Sequence, residues 1–372
     1  MPPLNLLIKP VSHRCNLRCE YCFYRSDAAK RRVSNHGQMD TELLRVLVER
    51  GLEYADGYCN FIFQGGEPTL VGPDFYRALV TLQEQYNKKG IAVHNSIQTN
   101  GVLLDGEWAS FLREHNFLCG LSLDGPEEVH DAYRVDSEGY GSFHRVMDAV
   151  RLLKEHGVEY NVLTVVNRAV AASFESVYGF LKKNGIRYQQ YIQCIEPLGE
   201  EWGKHCYSLS PESYGVFLKT AFDLWYGDLI SGNYHSIRTF ENYVQIAAGY
   251  RPESCGMSGE CSCNFVVESD GGVYPCDFYV LDEWYLGNVR DMSFEQLAFT
   301  PRAREFVELS KHIDGECARC RFFRLCRGGC RRCREPFLQG KPALNYYCSA
   351  YKAFFEYAEE RIYMIANTLG KT

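Results

Sequence analysis

Three of the seventeen cysteines, Cys15, Cys19 and Cys22, form a C-x3-C-x2-C loop near the start of this 372-residue chain. Three thiolates on one short loop can hold three irons of a 4Fe–4S cube and leave the fourth iron open. An open coordination position separates a reactive metal centre from a closed structural one. A zinc knuckle or three unrelated buried thiols would be the plain alternatives. Zinc would need a distant fourth ligand, and an x3-then-x2 spacing is unusual for it. The aromatic neighbours Tyr21, Phe23 and Tyr24 would shield a cluster and shape a cavity beside it.

An open iron can chelate the amino and carboxylate groups of S-adenosylmethionine. An electron passed into the sulfonium then cleaves a C–S bond and releases a 5′-deoxyadenosyl radical, which abstracts hydrogen atoms. A second set of cysteines lies far downstream: Cys255, Cys261, Cys263 and Cys276, then Cys317, Cys320, Cys326, Cys330 and Cys333, and last Cys348. That is enough sulfur for two fully ligated clusters with two thiols spare, although a pair of zinc sites tolerates similar spacings. Closed clusters store and pass electrons without activating substrate at iron, which suits an oxidation.

The elements that must position these residues alternate along the first half. Short apolar runs at Leu6–Lys9, Asn60–Gln64, Ala92–Gln98, Leu118–Leu123, Tyr160–Val166 and Tyr188–Gln193 read as strands. Amphipathic stretches at Thr41–Tyr54, Asp74–Lys88, Gly106–His115, Ser142–Glu155 and Ser173–Lys183 read as helices between them. Such alternation predicts an α/β fold with a parallel sheet, open or closed into a barrel. The chemistry then belongs at the strands' C-terminal ends. A long helix is expected at Pro211–Ser231 and a closing one at Ser349–Ala366. From Cys255 the texture turns to short, glycine-rich segments, expected to be organised by metal clusters more than by an apolar core.

The C-x3-C-x2-C loop with an aromatic before its third cysteine resembles the radical S-adenosylmethionine superfamily. Nearly the whole chain is similar to its anaerobic sulfatase-maturating branch, most closely at Leu6–Pro10, Cys15–Tyr24, Phe63–Thr69, Gln98–Gly101, Ser122–Pro126, Phe265–Val280 and Cys317–Cys333. Gly271 ahead of Cys276, with the later cysteine array, matches the SPASM pattern. The resemblance implies a partial (β/α)6 TIM-like barrel over residues 1–234, a SPASM region with two auxiliary clusters over 235–348, and a C-terminal helix over 349–372. It implies three 4Fe–4S clusters: one on Cys15, Cys19 and Cys22, one on Cys255, Cys261, Cys276 and Cys330, and one on Cys317, Cys320, Cys326 and Cys348. Cys263 and Cys333 are left as free thiols.

Gly65-Gly66-Glu67-Pro68 follows the second strand, where paired glycines let backbone approach a ligand and Glu67 can accept from an ammonium. An ordinary turn would explain these residues alone; the resemblance makes them the motif for the cofactor's amino group. Gln64, Gln98, Asn100, Ser122 and Asp124 sit at strand ends, where polar residues line cavities or simply cap turns. The resemblance puts Ser122 on the cofactor, points Gln64 and Tyr24 at cofactor or substrate, pairs Arg134 with the cofactor carboxylate, and adds Tyr21, Gln98, Asp124 and Ile195 to the cofactor's surroundings.

Asp277 follows a cluster cysteine within Cys276-Asp277-Phe278-Tyr279. A carboxylate among apolar rings can have a raised pKa and act as a base. On its own it would read as a turn residue; the resemblance makes it the base. The radical would take a hydrogen atom from Cβ of a Cys or Ser in an unfolded sulfatase segment. Asp277 would take the thiol or hydroxyl proton, and an auxiliary cluster the remaining electron. For cysteine, the thioaldehyde hydrolyses to Cα-formylglycine. The expected substrate carries Cys or Ser two positions before Pro and four before Arg, with flavodoxin or ferredoxin as reductant.

The net charge of −7 argues against nucleic acid as a partner. No apolar run approaches a membrane span, and the first residues lack a signal-peptide layout, so a cytoplasmic monomer is expected. An odd cysteine count there argues against a disulfide scaffold. Seven arginines between Cys317 and Arg334 are expected to offset cluster charge and face solvent, and Cys59, Cys119, Cys194 and Cys206 to be packing residues. Two rivals remain open: a SPASM enzyme crosslinking a precursor peptide, and a zinc-binding interaction protein without catalysis. With the barrel expected to begin within the first ten residues, no precursor-binding domain is expected before it.

Overall fold

The computed structural model describes residues 2–337 and 340–369. Its strands are β1 (Leu4–Ile8), β2 (Tyr58–Phe63), β3 (Ala92–Thr99), β4 (Leu118–Ser122) and β5 (Tyr160–Val166). They continue with β6 (Tyr188–Gln193), β7 (Ser236–Ile237), β8 (Val266–Val267), β9 (Gly272–Tyr274) and β10 (Gly287–Asn288). The chain forms two compact units, each drawn from separated stretches. One takes residues up to Ser122, Arg134–Tyr160 and Cys263–Phe306; the other takes Leu123–Tyr133, Asn161–Ser262 and the chain from Val307.

In the first unit β1, β2, β3 and β4 are parallel neighbours in chain order, with Leu6 opposite Phe61 and Ile8 opposite Phe63. The intervening helices follow from spacing and caps. Over Thr41–Tyr54, Leu43, Leu44, Leu47, Val48 and Leu52 recur on one buried face, and the Asp40 carboxylate accepts from the Leu43 N–H at 2.6 Å. Asp105 does the same for the Trp108 N–H at 3.0 Å, opening the helix Gly106–Glu114. Tyr76 anchors the core, its ring 4.9 Å from Phe63, 5.3 Å from Trp108 and 6.0 Å from Phe117.

The downstream part of this unit corrects one expectation. Residues 263–306 have a substantial apolar core, in which Val266, Val267, Val273, Tyr279, Val280, Phe294 and Leu297 are buried. β8 pairs in parallel with β1, Leu7 opposite Val266, and β9 and β10 continue antiparallel from it. Strands of two or three residues are too short to show a period of two, so the sequence reads as irregular there.

In the second unit β5, β6 and β7 are parallel. Helices Pro211–Ile230, Arg238–Ala247 and Cys348–Leu369 pack beside them, sharing Phe222, Trp225, Phe240 and Phe354 as a buried aromatic core. Of the expected closing segment, residues 370–372 lie outside the described residues. Among the described residues no helix is long and apolar enough to cross a membrane.

Candidate active site

Parallel pairing brings the C-terminal ends of β1 to β4 to one edge of the sheet, and the chemistry-bearing residues leave from that edge. β1 ends just before Lys9 and the cysteine loop, β2 before Gln64, β3 before Asn100, and β4 at Ser122. The loops then brace one another. The Glu67 N–H donates to the Arg14 carbonyl at 2.9 Å, and the Arg18 N–H to the Val135 carbonyl at 2.7 Å. The Asn100 amide donates to Asn16 Oδ1 at 2.7 Å and lies 3.7 Å from Cys15 Sγ. Gly66 has φ +58°, and a Cβ there would meet the Arg14 carbonyl oxygen at 2.3 Å, so only glycine lets the two loops touch. The Arg134 guanidinium lies over the Tyr21 ring at 5.4 Å.

The donor set fits an iron–sulfur cluster. The Leu17 N–H donates to Cys15 Sγ at 3.3 Å, a contact that stabilises a ligated thiolate. Cys15 is exposed as a residue, yet desolvation of its sulfur by the surrounding loops, with Glu67 nearby, pushes its thiol up to about 12. It ionises readily only when a metal supplies the positive charge.

Glu67 is buried, and its carboxylate accepts four hydrogen bonds from the protein, three of them on one oxygen. Oε1 accepts from the Thr69 N–H at 3.0 Å, the Thr69 hydroxyl at 2.6 Å and the Thr99 hydroxyl at 2.7 Å, while Oε2 accepts from the Asn100 N–H at 2.8 Å. It therefore braces the exits of β2 and β3. Gln98 donates to Ser122 Oγ at 3.1 Å, joining two more of the expected cofactor residues.

Asp277, Tyr24 and Gln64 converge from three parts of the sequence. Tyr24 Oη donates to Asp277 Oδ2 at 2.5 Å, and Gln64 Nε2 lies 2.7 Å from Tyr24 Oη and 3.3 Å from the same carboxylate oxygen. Asp277 Oδ1 is buried with no hydrogen-bond partner and faces Lys9 Nζ at 3.6 Å. Burial raises the Asp277 carboxyl above the ordinary range, against the opposing pull of Lys9 and Tyr24. Burial and the neighbouring Asp277 charge push the Tyr24 phenol well up, so Tyr24 keeps its proton and remains the donor. Sequence reasoning missed Lys9, along with its other partners Glu268 and Arg31. Lys9 Nζ is 3.9 Å from Glu268, which pairs with Arg31 at 2.9 Å, and all three side chains are buried. A lysine closing an otherwise apolar strand was the available signal.

Asp124 and Ile195, also expected near the cofactor, belong to the second unit. Both are buried, and Asp124 Oδ1 accepts from the Val165 N–H at 3.0 Å, the work of a turn residue. In the same unit Cys317, Cys320, Cys326 and Cys348 line one pocket, walled by Phe322, Phe323, Tyr351 and Phe355. Among the described residues no three His, Cys, Asp or Glu side chains close on a single ion.

Cys255, Cys261 and Cys330 also lie in the second unit, and Cys276 in the first. The Cys261 N–H donates to Ser310 Oγ at 2.8 Å, the Arg332 N–H donates to Cys330 Sγ at 3.4 Å, and a Cβ on Gly256 would stand 3.3 Å from Cys330 Cβ. Cys333 is buried and accepts from Gln193 Nε2 at 3.5 Å, and Cys263 is half-buried in the first unit. Cys59, Cys119 and Cys194 are buried as packing residues, whereas Cys206 is exposed, a correction to its expected place. The arginines divide. Arg319, Arg321 and Arg324 are exposed, but Arg331, Arg332 and Arg334 are buried, with Arg332 donating to the Glu196 carbonyl and Arg334 to those of Ser310, His312 and Ala343. These two stitch backbone together, a role that spacing alone does not reveal.

Residues 10–181 match the radical SAM superfamily, and residues 255–321 match SPASM, an iron–sulfur cluster-binding domain. The chain is 49% identical to the cysteine-type anaerobic sulfatase-maturating enzyme of Clostridium perfringens, over 99% of this chain and all of that one. It is 34% identical to the serine-type enzyme of Bacteroides thetaiotaomicron, over 95% and 89% of the two chains. The fold matches native anSMEcpe with bound AdoMet at a TM-score of 0.95 and 49% identity, covering 98% of this chain and 100% of that one. It matches the same protein holding AdoMet and the Cp18Cys peptide equally well, at 0.95 and 48% identity over 99% and 100%. With a radical SAM partial barrel, a SPASM domain and full-length kinship on this scale, the chain belongs to the anaerobic sulfatase-maturating enzymes.

Proposed function

We propose that this enzyme oxidises a cysteine in a sulfatase segment to Cα-formylglycine, with Asp277 as the base that takes the thiol proton. When bound, S-adenosylmethionine on the open iron supplies the hydrogen-abstracting 5′-deoxyadenosyl radical, and an auxiliary cluster takes up one electron. Cys15, Cys19 and Cys22 would hold the first cluster. Cys255, Cys261, Cys276 and Cys330 would hold one auxiliary cluster, and Cys317, Cys320, Cys326 and Cys348 the other. Gly65 and Gly66 let backbone come close to the cofactor, with Tyr21, Gln98, Ser122, Asp124, Arg134 and Ile195 around it.

The observation that carries the reading is the Asp277 carboxylate itself. Tyr24 and Gln64 hold Oδ2, while Oδ1 keeps its lone pairs for an incoming proton. The substrate loses one hydrogen atom from Cβ, one proton to Asp277 and one electron. Those losses leave a thioaldehyde, and water replaces sulfur to give the aldehyde. The higher identity to the cysteine-type relative than to the serine-type one supports cysteine as the preferred residue. A substrate with cysteine two positions before Pro and four before Arg, and a flavodoxin or ferredoxin as reductant, complete the proposal. A reducing compartment such as the cytoplasm suits both an open cluster and cysteines kept out of disulfides.

The test is anaerobic incubation of reconstituted enzyme with S-adenosylmethionine, reductant and a Cys-x-Pro-x-Arg peptide, followed by mass spectrometry. Loss of the thiol with gain of an aldehyde, matched by 5′-deoxyadenosine, is the expected result. Deoxyadenosine without any change in the peptide would overturn the assigned substrate.

A further inference from the structure

Lys9 is a charged side chain 3% exposed, and no step of the reaction described above uses it. Its ammonium stands between two carboxylates, 3.6 Å from Asp277 Oδ1 and 3.9 Å from Glu268 Oε1. Glu268 is fully buried, and the same oxygen accepts from Arg31 Nη1 at 2.9 Å. The order Arg31, Glu268, Lys9, Asp277 alternates in sign and sums to zero, the arrangement that makes four buried charges tolerable. The stem of Lys9 does something else. A Cβ on Gly65 would meet Lys9 Cε at 2.7 Å and Cγ at 2.8 Å, so the stem fills the space under the first glycine of the cofactor loop. The ammonium also lies 4.4 Å from the centre of the Tyr24 ring, whose hydroxyl donates to Asp277. One side chain thus touches the base, the residue that orients the base, and the loop expected to carry the cofactor.

We propose that Lys9 is a positioning residue that holds the Asp277 carboxylate in register with the cofactor loop, so that hydrogen-atom abstraction and proton removal act on the same substrate carbon and thiol. The inference rests on the reading of Asp277 as the base. The separation of 3.6 Å is too long for a hydrogen bond and short enough for strong attraction. Lys9 therefore steers Oδ1 without occupying the lone pairs that must accept the proton. Glu268 and Arg31 keep the ammonium from swinging onto Asp277.

The experiment compares wild type, Lys9→Met and Lys9→Arg as cluster-loaded enzymes, reading 5′-deoxyadenosine formed per aldehyde formed. Equilibrium affinities for S-adenosylmethionine and for the cysteine peptide are measured alongside. Lys9→Met keeps an unbranched stem out to the ε position and removes the charge. It is expected to hold both affinities within about threefold and to raise deoxyadenosine per aldehyde by about tenfold or more. Lys9→Arg keeps the charge and stays within about threefold of wild type in that ratio. A Lys9→Met enzyme that is slower yet keeps the wild-type ratio would reduce Lys9 to a structural residue and overturn the proposal. If Lys9→Met does not fold, Lys9→Gln carries the same comparison. A wild type that makes deoxyadenosine and no aldehyde would instead remove the maturase reading, and this inference with it.

Discussion

Tyr24 and Asp277 lie 253 positions apart in the chain and meet in a hydrogen bond of 2.5 Å, the phenol donating to the carboxylate. The contact joins the end of the cysteine loop to the segment that follows Cys276. It fixes one carboxylate oxygen and leaves the other open toward Lys9. Removing the donor should therefore act on the proton step before anything else. Tyr24→Phe is expected to slow aldehyde formation by about ten- to a hundredfold, the worth of a hydrogen bond to a charged group. Single-turnover mass spectrometry measures it, and an unchanged rate would show that the contact plays no part.

Gly66 packs against the Arg14 carbonyl where no side chain fits. Gly66→Ala is expected to displace the cysteine loop and lower bound iron from about twelve to about eight atoms per chain, with loss of S-adenosylmethionine cleavage. Iron and sulfide analysis of the reconstituted protein decides it. Full iron content with normal cleavage would contradict the close approach.

The pocket of Cys317, Cys320, Cys326 and Cys348 lies in the second unit, whereas Cys15, Cys19 and Cys22 lie in the first. Cys326→Ala is expected to cost about four irons and to reduce aldehyde formation, while slow deoxyadenosine release without peptide persists. Unchanged iron content would remove Cys326 from the ligand set.

Lys182 lies 2.6 Å from Asp228 and Tyr178 donates to it at 2.7 Å, and together they hold the Asp228 carboxyl below its ordinary range despite burial. A carboxyl with a depressed folded pKa adds stability above its unfolded value of about 3.9 and loses it as pH falls through the folded one. Asp228→Asn should therefore lower the melting temperature at pH 7, and the gap to wild type should close below about pH 4. Circular dichroism melts across that range would show it, and a constant gap would mean that the ion pair contributes no pH-dependent stability.

The fold was legible where periodicity runs long. β5 and β6 coincide with their apolar runs, and Thr41–Tyr54 coincides with its amphipathic stretch. The short helix Phe23–Ala29 follows directly on the cysteine loop and escaped notice, since Cys22 at its start makes no side-chain cap. The three strands after Cys263 were too brief to show a pattern. In the site, the spacing of Cys15, Cys19 and Cys22 was enough by itself to suggest an open cluster. Asp277 and Tyr24 stood out through family resemblance, and their contact needed the fold. Lys9 escaped because a lysine at a strand end ordinarily faces water. Only pairing of β1 with β8 surrounds it with Glu268 and Asp277. Arg332 and Arg334 were read as charge compensation because nothing local shows that their targets are distant carbonyls.

The central claim is that Asp277 takes the substrate proton, and Asp277→Asn tests it most directly. Under one turnover with the cysteine peptide, the variant is expected to form 5′-deoxyadenosine and leave the peptide without an aldehyde, because hydrogen abstraction no longer leads to proton removal. Aldehyde formed in step with deoxyadenosine by that variant would contradict the account.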